Sequence, residues 1–259
     1  MAQLDPAAAD RQSELTFALA DVRSRLAAAA AAAGRSVADI ELLPVTKFFP
    51  ATDVAILSRL GCRAVGESRV QEARQKVKEV ATLLGATSPG AGLRDLRWHM
   101  VGQIQRKKAA SVARWADAAH SVDRPELVTA LDRAVAKELA EHRRDAQLRV
   151  YLQVSIDGDV SRGGVDIDAP GSVDELCAQV ERSRSLQLVG LMGVPPLDWE
   201  PERAFERLRQ EHDRVLNGFP HAVKLSAGMS TDLEAAVKHG STCVRVGTAL
   251  LGRRQLRSP

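Results

Sequence analysis

A lysine near the start of the chain and a cluster of small residues near its end could together bind a reactive ligand. Lys47 ends an apolar stretch over residues 40–47 (IELLPVTK). A lysine at the end of a buried strand is expected to be partly desolvated, which leaves more neutral amine to attack a carbonyl carbon. A solvated lysine at a strand end is the plainer alternative, and Lys47 alone does not decide between the two.

The stretch over residues 225–252 (LSAGMSTDLEAAVKHGSTCVRVGTALLG) predicts two strands, each followed by a loop of small residues. Ser230 lies in the first loop, and Gly247 and Thr248 lie in the second. Such loops let backbone N–H groups and hydroxyls approach an anion closely. We therefore predict a phosphate cradle at these three residues, although small residues at strand exits are also ordinary turn formers.

A helix is predicted between these two strands, over residues 231–239. Ser230 or Thr231 is expected to cap its N-terminus, and Gly240 is expected to end it. The loop after the first of these strands would then lie beside the N-terminus of a helix, where an anion is electrostatically favoured.

Arg245 lies two residues before Gly247, so strand alternation places both on the same side. An arginine that points into a protein interior needs an acceptor, because an unpaired buried cation is costly. That acceptor is either a ligand or an internal carboxylate such as Glu67. A reactive lysine, a phosphate cradle and an arginine in one site fit a phosphorylated aldehyde with a ring nitrogen, and pyridoxal 5′-phosphate (PLP) is such a ligand.

The elements that must position these residues alternate regularly along the chain. A long helix is predicted over residues 4–33, before the first strand. Eight strands are predicted over residues 40–47, 64–68, 98–102, 118–122, 148–156, 186–194, 222–225 and 243–246. Helices are predicted over residues 52–60, 70–84, 104–115, 125–142, 173–184, 200–216 and 231–239, with loops at 87–93 and 157–171.

Eight alternating strands and helices predict an α/β protein, a single (β/α)8 TIM barrel with an extra N-terminal helix. No composition shift divides the chain, so residues 1–259 are expected to form one domain. In such a barrel the loops after the seventh and eighth strands commonly bind phosphate. That is where the sequence places Ser230, Gly247 and Thr248.

Composition argues against a nucleic-acid-binding protein, a membrane protein and a metalloprotein. The net charge of +3 is small for a nucleic-acid binder, and no apolar run suggests a membrane protein. The three cysteines show no CxxC pairing, which indicates a reducing cytoplasm. The histidines show no ligand spacing with the cysteines, and the aspartates at 157, 159, 166 and 168 lack EF-hand spacing, so we predict no metal.

Several segments resemble the pyridoxal phosphate homeostasis protein family, and more distantly the N-terminal barrel domain of alanine racemases. They are VTK (45–47), GESRVQEA (66–73), WHMVGQIQRKK (98–108), HSVDR (120–124), LQVSIDGDVSRGG (152–164), LMGVP (191–195) and the stretch from residue 226 to residue 252. They run in family order from the first predicted strand to the last. The resemblance therefore covers nearly the whole chain.

The resemblance implies a PLP-binding protein in which Lys47 forms an aldimine, Ser230, Gly247 and Thr248 hold the phosphate, and Arg245 meets the pyridine nitrogen. It implies that Ser226, Gly228 and Met229 shape the same loop. The family usually has GEN after its second strand, whereas this chain has Ser68 in place of the asparagine, and serine keeps a hydroxyl but lacks the reach of the amide toward a ring. His99 lies near a strand exit and either approaches the ring or is hydrogen-bonded in the core.

Three functions would use these residues. The first is a non-catalytic protein that holds, buffers or delivers PLP, with PLP-dependent apo-enzymes as candidate recipients. The second is a PLP-dependent amino-acid racemase, which needs a second proton-transfer group that the sequence does not show, since the single tyrosine, Tyr151, falls near the start of the fifth strand. A Schiff-base aldolase would not explain Arg245. We expect the first function, in a monomer, because nothing in the sequence indicates an obligate interface.

Overall fold

The computed structural model describes residues 6–85 and 96–253 as a parallel barrel surrounded by helices. The loop predicted at 87–93 lies outside the described residues. The strands are β1 (Glu41–Pro44), β2 (Ala64–Glu67), β3 (Arg97–Met100), β4 (Ala118–Val122), β5 (Leu148–Ser155), β6 (Val165–Asp166), β7 (Leu186–Met192), β8 (Lys224–Ser226) and β9 (Cys243–Val246).

All strand pairs are parallel, in the order β1-β9-β8-β7-β5-β4-β3-β2. A bridge between Val45 and Gly66 closes the ring between β1 and β2, and the Thr46 amide donates to the Gly66 carbonyl at 2.9 Å. The two-residue β6 pairs only with β5 and stands outside this ring. The predicted TIM barrel is therefore confirmed, with the predicted seventh and eighth strands being β8 and β9.

The helices cover the outside of the barrel. They are α1 (Pro6–Ala32), α2 (Ala51–Arg59), α3 (Val70–Leu83), α4 (Ala109–Val112), α5 (Pro125–Ala140), α6 (Pro170–Arg182), α7 (Pro201–Gly218), α8 (Leu233–Lys238) and α9 (Thr248–Leu251). Short 3-10 helices lie at Val37–Asp39, Arg106–Lys108 and Val160–Arg162. No helix of the described residues is long and apolar enough to cross a membrane.

The extra N-terminal helix, α1, packs across the end of the chain that carries the predicted cradle. Its buried leucine and valine side chains recur at helical spacing and form one apolar cluster with residues of α8 and α9. Arg11 forms a 2.7 Å ion pair with buried Asp53 and also donates to the Leu251 carbonyl at 3.1 Å. Arg25 donates to the Ser230 carbonyl at 3.0 Å. The helix therefore fixes both loops of the cradle from outside.

The predicted helix over residues 104–115 is mostly wrong. The segment instead forms the 3-10 turn Arg106–Lys108 and the single helical turn Ala109–Val112. Arginines from elsewhere in the chain bind its carbonyls: Arg124 binds that of Ile104 at 2.7 Å, and Arg144 binds that of Ala113 at 3.1 Å. Tertiary hydrogen bonds thus satisfy one carbonyl near each end of the segment.

Candidate functional site

Lys47 lies in a turn directly beyond β1, at the carboxyl end of the barrel strands. The turn is closed by a 3.1 Å hydrogen bond from the Phe49 amide to the Thr46 carbonyl, and Phe48 has a positive φ of 69°. The Arg69 guanidinium lies over the Phe48 ring at 4.6 Å. The Lys47 side chain is exposed, so the predicted partial desolvation is wrong for this structure.

A buried ion pair supports the backbone immediately before Lys47. The Lys76 ammonium, on α3, donates to Glu67 Oε1 at 2.6 Å and to the Thr46 carbonyl at 2.9 Å. The Thr46 hydroxyl donates to the same Glu67 oxygen at 2.7 Å. Burial raises the pKa of Glu67, and the nearby Lys76 charge opposes that shift. This cluster fixes the turn that presents Lys47, and the sequence analysis missed the part that Lys76 plays in it.

The same geometry overturns the internal salt bridge considered for Arg245. Glu67 faces Lys76 of the helix layer, while Arg245 hydrogen-bonds to other groups. The Arg245 guanidinium donates to Ser226 Oγ at 2.6 Å and to the Gly193 carbonyl at 3.0 Å. Its side chain is buried, and burial lowers the pKa of Arg245. A guanidinium remains protonated in proteins, so this side chain is a fixed buried cation at the carboxyl end of β7, β8 and β9.

The loops after β8 and β9 converge. The Ala249 amide donates to Ser230 Oγ at 3.2 Å, and the Arg245 amide donates to the Gly228 carbonyl at 2.9 Å. Gly228 has a φ of +87°, and a Cβ there would lie 2.5 Å from the Ala236 Cβ, so a side chain does not fit. The structure therefore joins Ser230 to the first turn of α9, which directly follows Gly247, and both Thr248 and Met229 are exposed.

The prediction that Ser230 or Thr231 caps the helix between these strands is wrong. Asp232 is the residue before α8, and it makes no side-chain cap to the helix. Its Oδ1 instead accepts from the Met229 amide at 2.5 Å, which tightens the loop. Gly240, with a φ of +93°, follows the end of the helix as predicted. Ser230 is thereby free to bond to the Ala249 amide.

A chain of hydrogen bonds runs through the barrel interior beneath Arg245. The Arg149 guanidinium lies 3.4 Å from His99 Nε2, His99 Nδ1 lies 3.0 Å from His120 Nε2, and His120 Nδ1 lies 2.9 Å from Ser226 Oγ. Burial lowers the pKa of both histidines well below the usual value, and neighbouring arginines add to the shift. Both rings are therefore neutral, and because arginine can only donate, each ring carries its proton on Nδ1.

His99 is thus a core residue rather than a group facing a ligand. Its two ring nitrogens are directed to His120 and Arg149, and none of its side chain is exposed. Of the two alternatives for His99, the structure favours the one in which the ring is hydrogen-bonded in the core. His120, which the sequence analysis missed, stacks on Tyr151 with ring centroids 4.2 Å apart. The sequence feature that could have identified His120 is its inward-facing position on the strand next to that of His99.

Ser68 follows β2 and is half-buried. Gly102 approaches it so closely that a Cβ on Gly102 would lie 2.3 Å from the Ser68 carbonyl oxygen. Ser121 donates to the Gly102 carbonyl and holds this approach in place. The structure therefore places Ser68 at the same end of the barrel as Lys47, on the side away from Ser230.

The described residues combine an exposed primary amine, a buried guanidinium and a loop pair with hydroxyl and backbone N–H donors. Each comes from the carboxyl end of a barrel strand, where the loops of this fold carry ligand sites. The Ser230 hydroxyl, which accepts from one amide, still has its own proton to donate. A dianionic group would suit the loops, and a carbonyl carbon would suit the amine. No group of histidine, cysteine or carboxylate side chains among the described residues could hold a metal ion.

The chain is similar to known proteins over most of its length. Residues 18–255 match the family model "Alanine racemase, N-terminal domain". The chain is 70% identical over 250 residues to a pyridoxal phosphate homeostasis protein of Mycobacterium tuberculosis, covering 96% of each chain. It is 36% identical over 245 residues to one of Escherichia coli, covering 93% of this chain and 97% of the other.

Among solved structures, the chain is similar to PipY of Synechococcus elongatus, which was determined with PLP bound. The TM-score is 0.74 at 31% identity, over 92% of this chain and 100% of PipY. The extent of these matches reproduces the resemblance seen in the individual segments. This chain belongs to the pyridoxal phosphate homeostasis protein family, within the wider group that shares the alanine racemase N-terminal domain.

Proposed function

We propose that this protein binds PLP reversibly and serves its homeostasis by holding, buffering or delivering it. The observation that carries the proposal is the convergence of the two loops at Ser230, beside a buried Arg245 and one barrel strand away from Lys47. The PLP bound to PipY and the names of the relatives support it. When bound, PLP supplies an aldehyde that reacts with amines and a pyridine ring that can accept electrons.

The phosphate fits the loop pair. Ser230 has a hydroxyl proton to donate, and Thr248 adds an exposed hydroxyl. Gly247, with no side chain, leaves its backbone open to close approach. Hydrogen bonds to a charged acceptor are stronger than those to a neutral one, so these donors favour a dianion. Ser226, Gly228 and Met229 act by shaping this loop.

Arg245 fits the pyridine nitrogen. A guanidinium has five N–H groups, of which Ser226 and Gly193 bind two. The remaining donors suit a neutral ring nitrogen that accepts a hydrogen bond. Because an arginine does not readily give up its proton, Arg245 would leave that nitrogen unprotonated. We infer that the ring is thereby a weaker electron acceptor than one protonated by a carboxylic acid.

Lys47 is the amine that we place at the aldehyde. It is exposed, so water and competing amines reach it, and a link formed there is open to exchange. The buried pair of Lys76 and Glu67 fixes its backbone without shielding its side chain. An accessible lysine suits a protein that releases its ligand. Ser68 stands where the family has asparagine, and any contact from it to the ring stays a prediction.

We propose further that the protein does not turn over amino acids at a useful rate. A two-base proton transfer needs a second group opposite Lys47. The single tyrosine, Tyr151, is 4% exposed and lines a cavity at the amino-terminal end of the strands. The three cysteines are buried and free, which suits the cytoplasm that we propose. PLP-dependent apo-enzymes are the recipients that we propose, and a monomer is the expected state.

The binding proposal is tested by adding PLP to the purified protein and recording the absorbance spectrum before and after borohydride. Borohydride should fix the cofactor to Lys47, as located by peptide mass spectrometry. Lys47→Ala should lose the covalent adduct and keep part of the phosphate-dependent affinity, whereas Lys238→Ala, a matched exposed lysine, should behave as the wild type. An adduct that persists in Lys47→Ala at another lysine would refute the assignment.

The absence of turnover is tested by incubating the PLP-loaded protein with L- and D-amino acids in deuterated water. We expect α-proton exchange no faster than with free PLP, because only one base is in place. Exchange or racemisation many times faster would replace this proposal with a racemase. Binding and the Lys47 adduct would be unaffected by that result, so the two parts of the proposed function fail separately.

A further inference from the structure

The amino-terminal mouth of the barrel, opposite Lys47, contains a cavity of about 660 Å³. Residues that begin strands line it, among them Glu41 of β1, Arg97 of β3 and Lys224 of β8. Five arginine or lysine residues and two carboxylates line the cavity, an excess of three positive charges among the lining residues. Its volume lies in the usual range for small-molecule sites, about 300–1,000 Å³.

Part of this positive charge is already neutralised within the fold. Arg97 pairs with Glu41 at 2.5 Å, and Arg23 donates to the Leu60 carbonyl at 3.1 Å. Two cations differ from these. The Arg149 side chain rises from the second residue of β5 and has, within the described residues, a single hydrogen bond, the 3.4 Å one to His99. Lys224 is exposed, and its ammonium has no hydrogen bond or ion pair in the same part of the chain.

Arg149 therefore has N–H donors that could bind a ligand. It is half-buried, and a guanidinium removed from water needs its N–H groups paired. Four of its five donors have no protein partner among the described residues. Their planar fork matches two oxygens of a tetrahedral anion. Tyr151, which lines the same cavity, brings a phenol that keeps its proton, because burial raises its pKa.

We propose that this cavity binds a small anion that carries a phosphate group, with Arg149 as its principal ligand and Lys224 at its rim. Because Arg149 also donates to His99 Nε2, an anion that draws the guanidinium away weakens that hydrogen bond. The site is separated from the PLP site by the full height of the barrel. The chain from His99 through His120 and Ser226 to Arg245 joins the two ends.

The test is calorimetric titration of inorganic phosphate and of glucose 6-phosphate into four single variants and the wild type. Arg149→Gln should weaken binding at this site by about tenfold or more, the loss expected for hydrogen bonds to a charged group. Lys224→Gln should weaken it about threefold, as expected for an exposed cation. Arg106→Gln removes an equal charge from the 3-10 turn Arg106–Lys108 and should change nothing. Ser230→Ala weakens the cradle and should leave this site intact.

Phosphate binding that survives Ser230→Ala and weakens in Arg149→Gln supports the inference. Binding that is lost in Ser230→Ala and unchanged in Arg149→Gln overturns it, and leaves the proposed PLP site standing. Tighter binding of glucose 6-phosphate than of inorganic phosphate would identify a phosphate ester as the occupant, and the reverse order would identify free phosphate. A nitrogen-15 spectrum of the wild type gives a second readout, in which phosphate should shift His99 Nε2. No shift of that signal at saturating phosphate would also overturn the inference.

Discussion

His99 and His120, two of the three buried histidines among the described residues, should make the stability of this protein strongly dependent on pH on the acid side. His99 and His120 are fully buried, and burial holds the pKa of each well below the usual value. They are neutral in the folded state and titrate normally when the chain unfolds. A group whose folded pKa is lowered binds more protons in the unfolded state, so the free energy of unfolding falls as the pH drops below the unfolded pKa of about 6.5.

The size of the effect follows from that linkage. Between about pH 7.5 and about pH 5.5, protonation of each histidine favours the unfolded state by a factor of about ten. This lowers the free energy of unfolding by about 1.4 kcal/mol for each histidine, or about 2.7 kcal/mol for the pair. The buried acids Glu67 and Asp117, whose pKa values burial raises, act in the opposite direction. The histidine contribution is therefore isolated as a difference between variants and the wild type.

Urea unfolding followed by circular dichroism across this pH range measures the difference. His99→Gln and His120→Gln should each reduce the slope of the free energy of unfolding against pH, by the contribution of about one bound proton, since glutamine does not titrate. Tyr151→Phe is the matched control, because it alters the ring stacked on His120 but should leave the slope as in the wild type. A slope that is the same in the wild type and both glutamine variants would refute neutral buried histidines, and with them the direction of the hydrogen-bond chain.

Two further predictions concern the cradle and the buried ion pair. Ser230→Ala should weaken PLP by about ten- to a hundredfold, since one hydrogen bond to a charged acceptor contributes about 1.5–3 kcal/mol. Equal affinity of the wild type for pyridoxal and PLP in an absorbance titration would argue against a phosphate cradle. Lys76→Met should cost about 3–5 kcal/mol in urea unfolding, because Glu67 is left buried without its cation, and Glu67→Gln combined with Lys76→Met should cost less. A double variant as unstable as the single one would contradict that account.

The barrel could be predicted from the sequence because each strand is an apolar run that ends in small or charged residues. The strand over residues 118–122 and the one over residues 243–246 match the structure in full. Predictions that depend on long-range partners were less reliable. The helix predicted over 104–115 is shorter in the structure, where Arg124 and Arg144 bind carbonyls near its two ends, and neither partner can be inferred from local pattern.

In the candidate site, too, features set by local sequence pattern could be predicted, and features set by distant contacts could not. The placement of Ser230, Arg245 and Gly247 at the carboxyl ends of two adjacent strands follows from strand order and alternation, which the sequence carries. The exposure of Lys47 does not, because it depends on a turn in which Phe48 adopts a positive φ. The cap on α8 was mispredicted because Ser230 bonds to the Ala249 amide of α9, beyond the reach of a local capping rule.

The Ser226 hydroxyl allows the chain of hydrogen bonds inside the barrel to have an arginine at each end. Both ends of the chain, Arg149 and Arg245, can only donate, so somewhere between them two donors must meet on one acceptor. They meet on Ser226 Oγ, which accepts from His120 and from Arg245. The hydroxyl proton is then free to reach the Cys243 sulfur; burial raises the pKa of that thiol to about 12, and the Ser226 hydrogen bond opposes the shift. A side chain without a second lone pair would leave a buried donor unpaired, at a cost of about 1–3 kcal/mol. Serine therefore lets a neutral histidine and a buried guanidinium share one atom, and that shared atom fixes where Arg245 points.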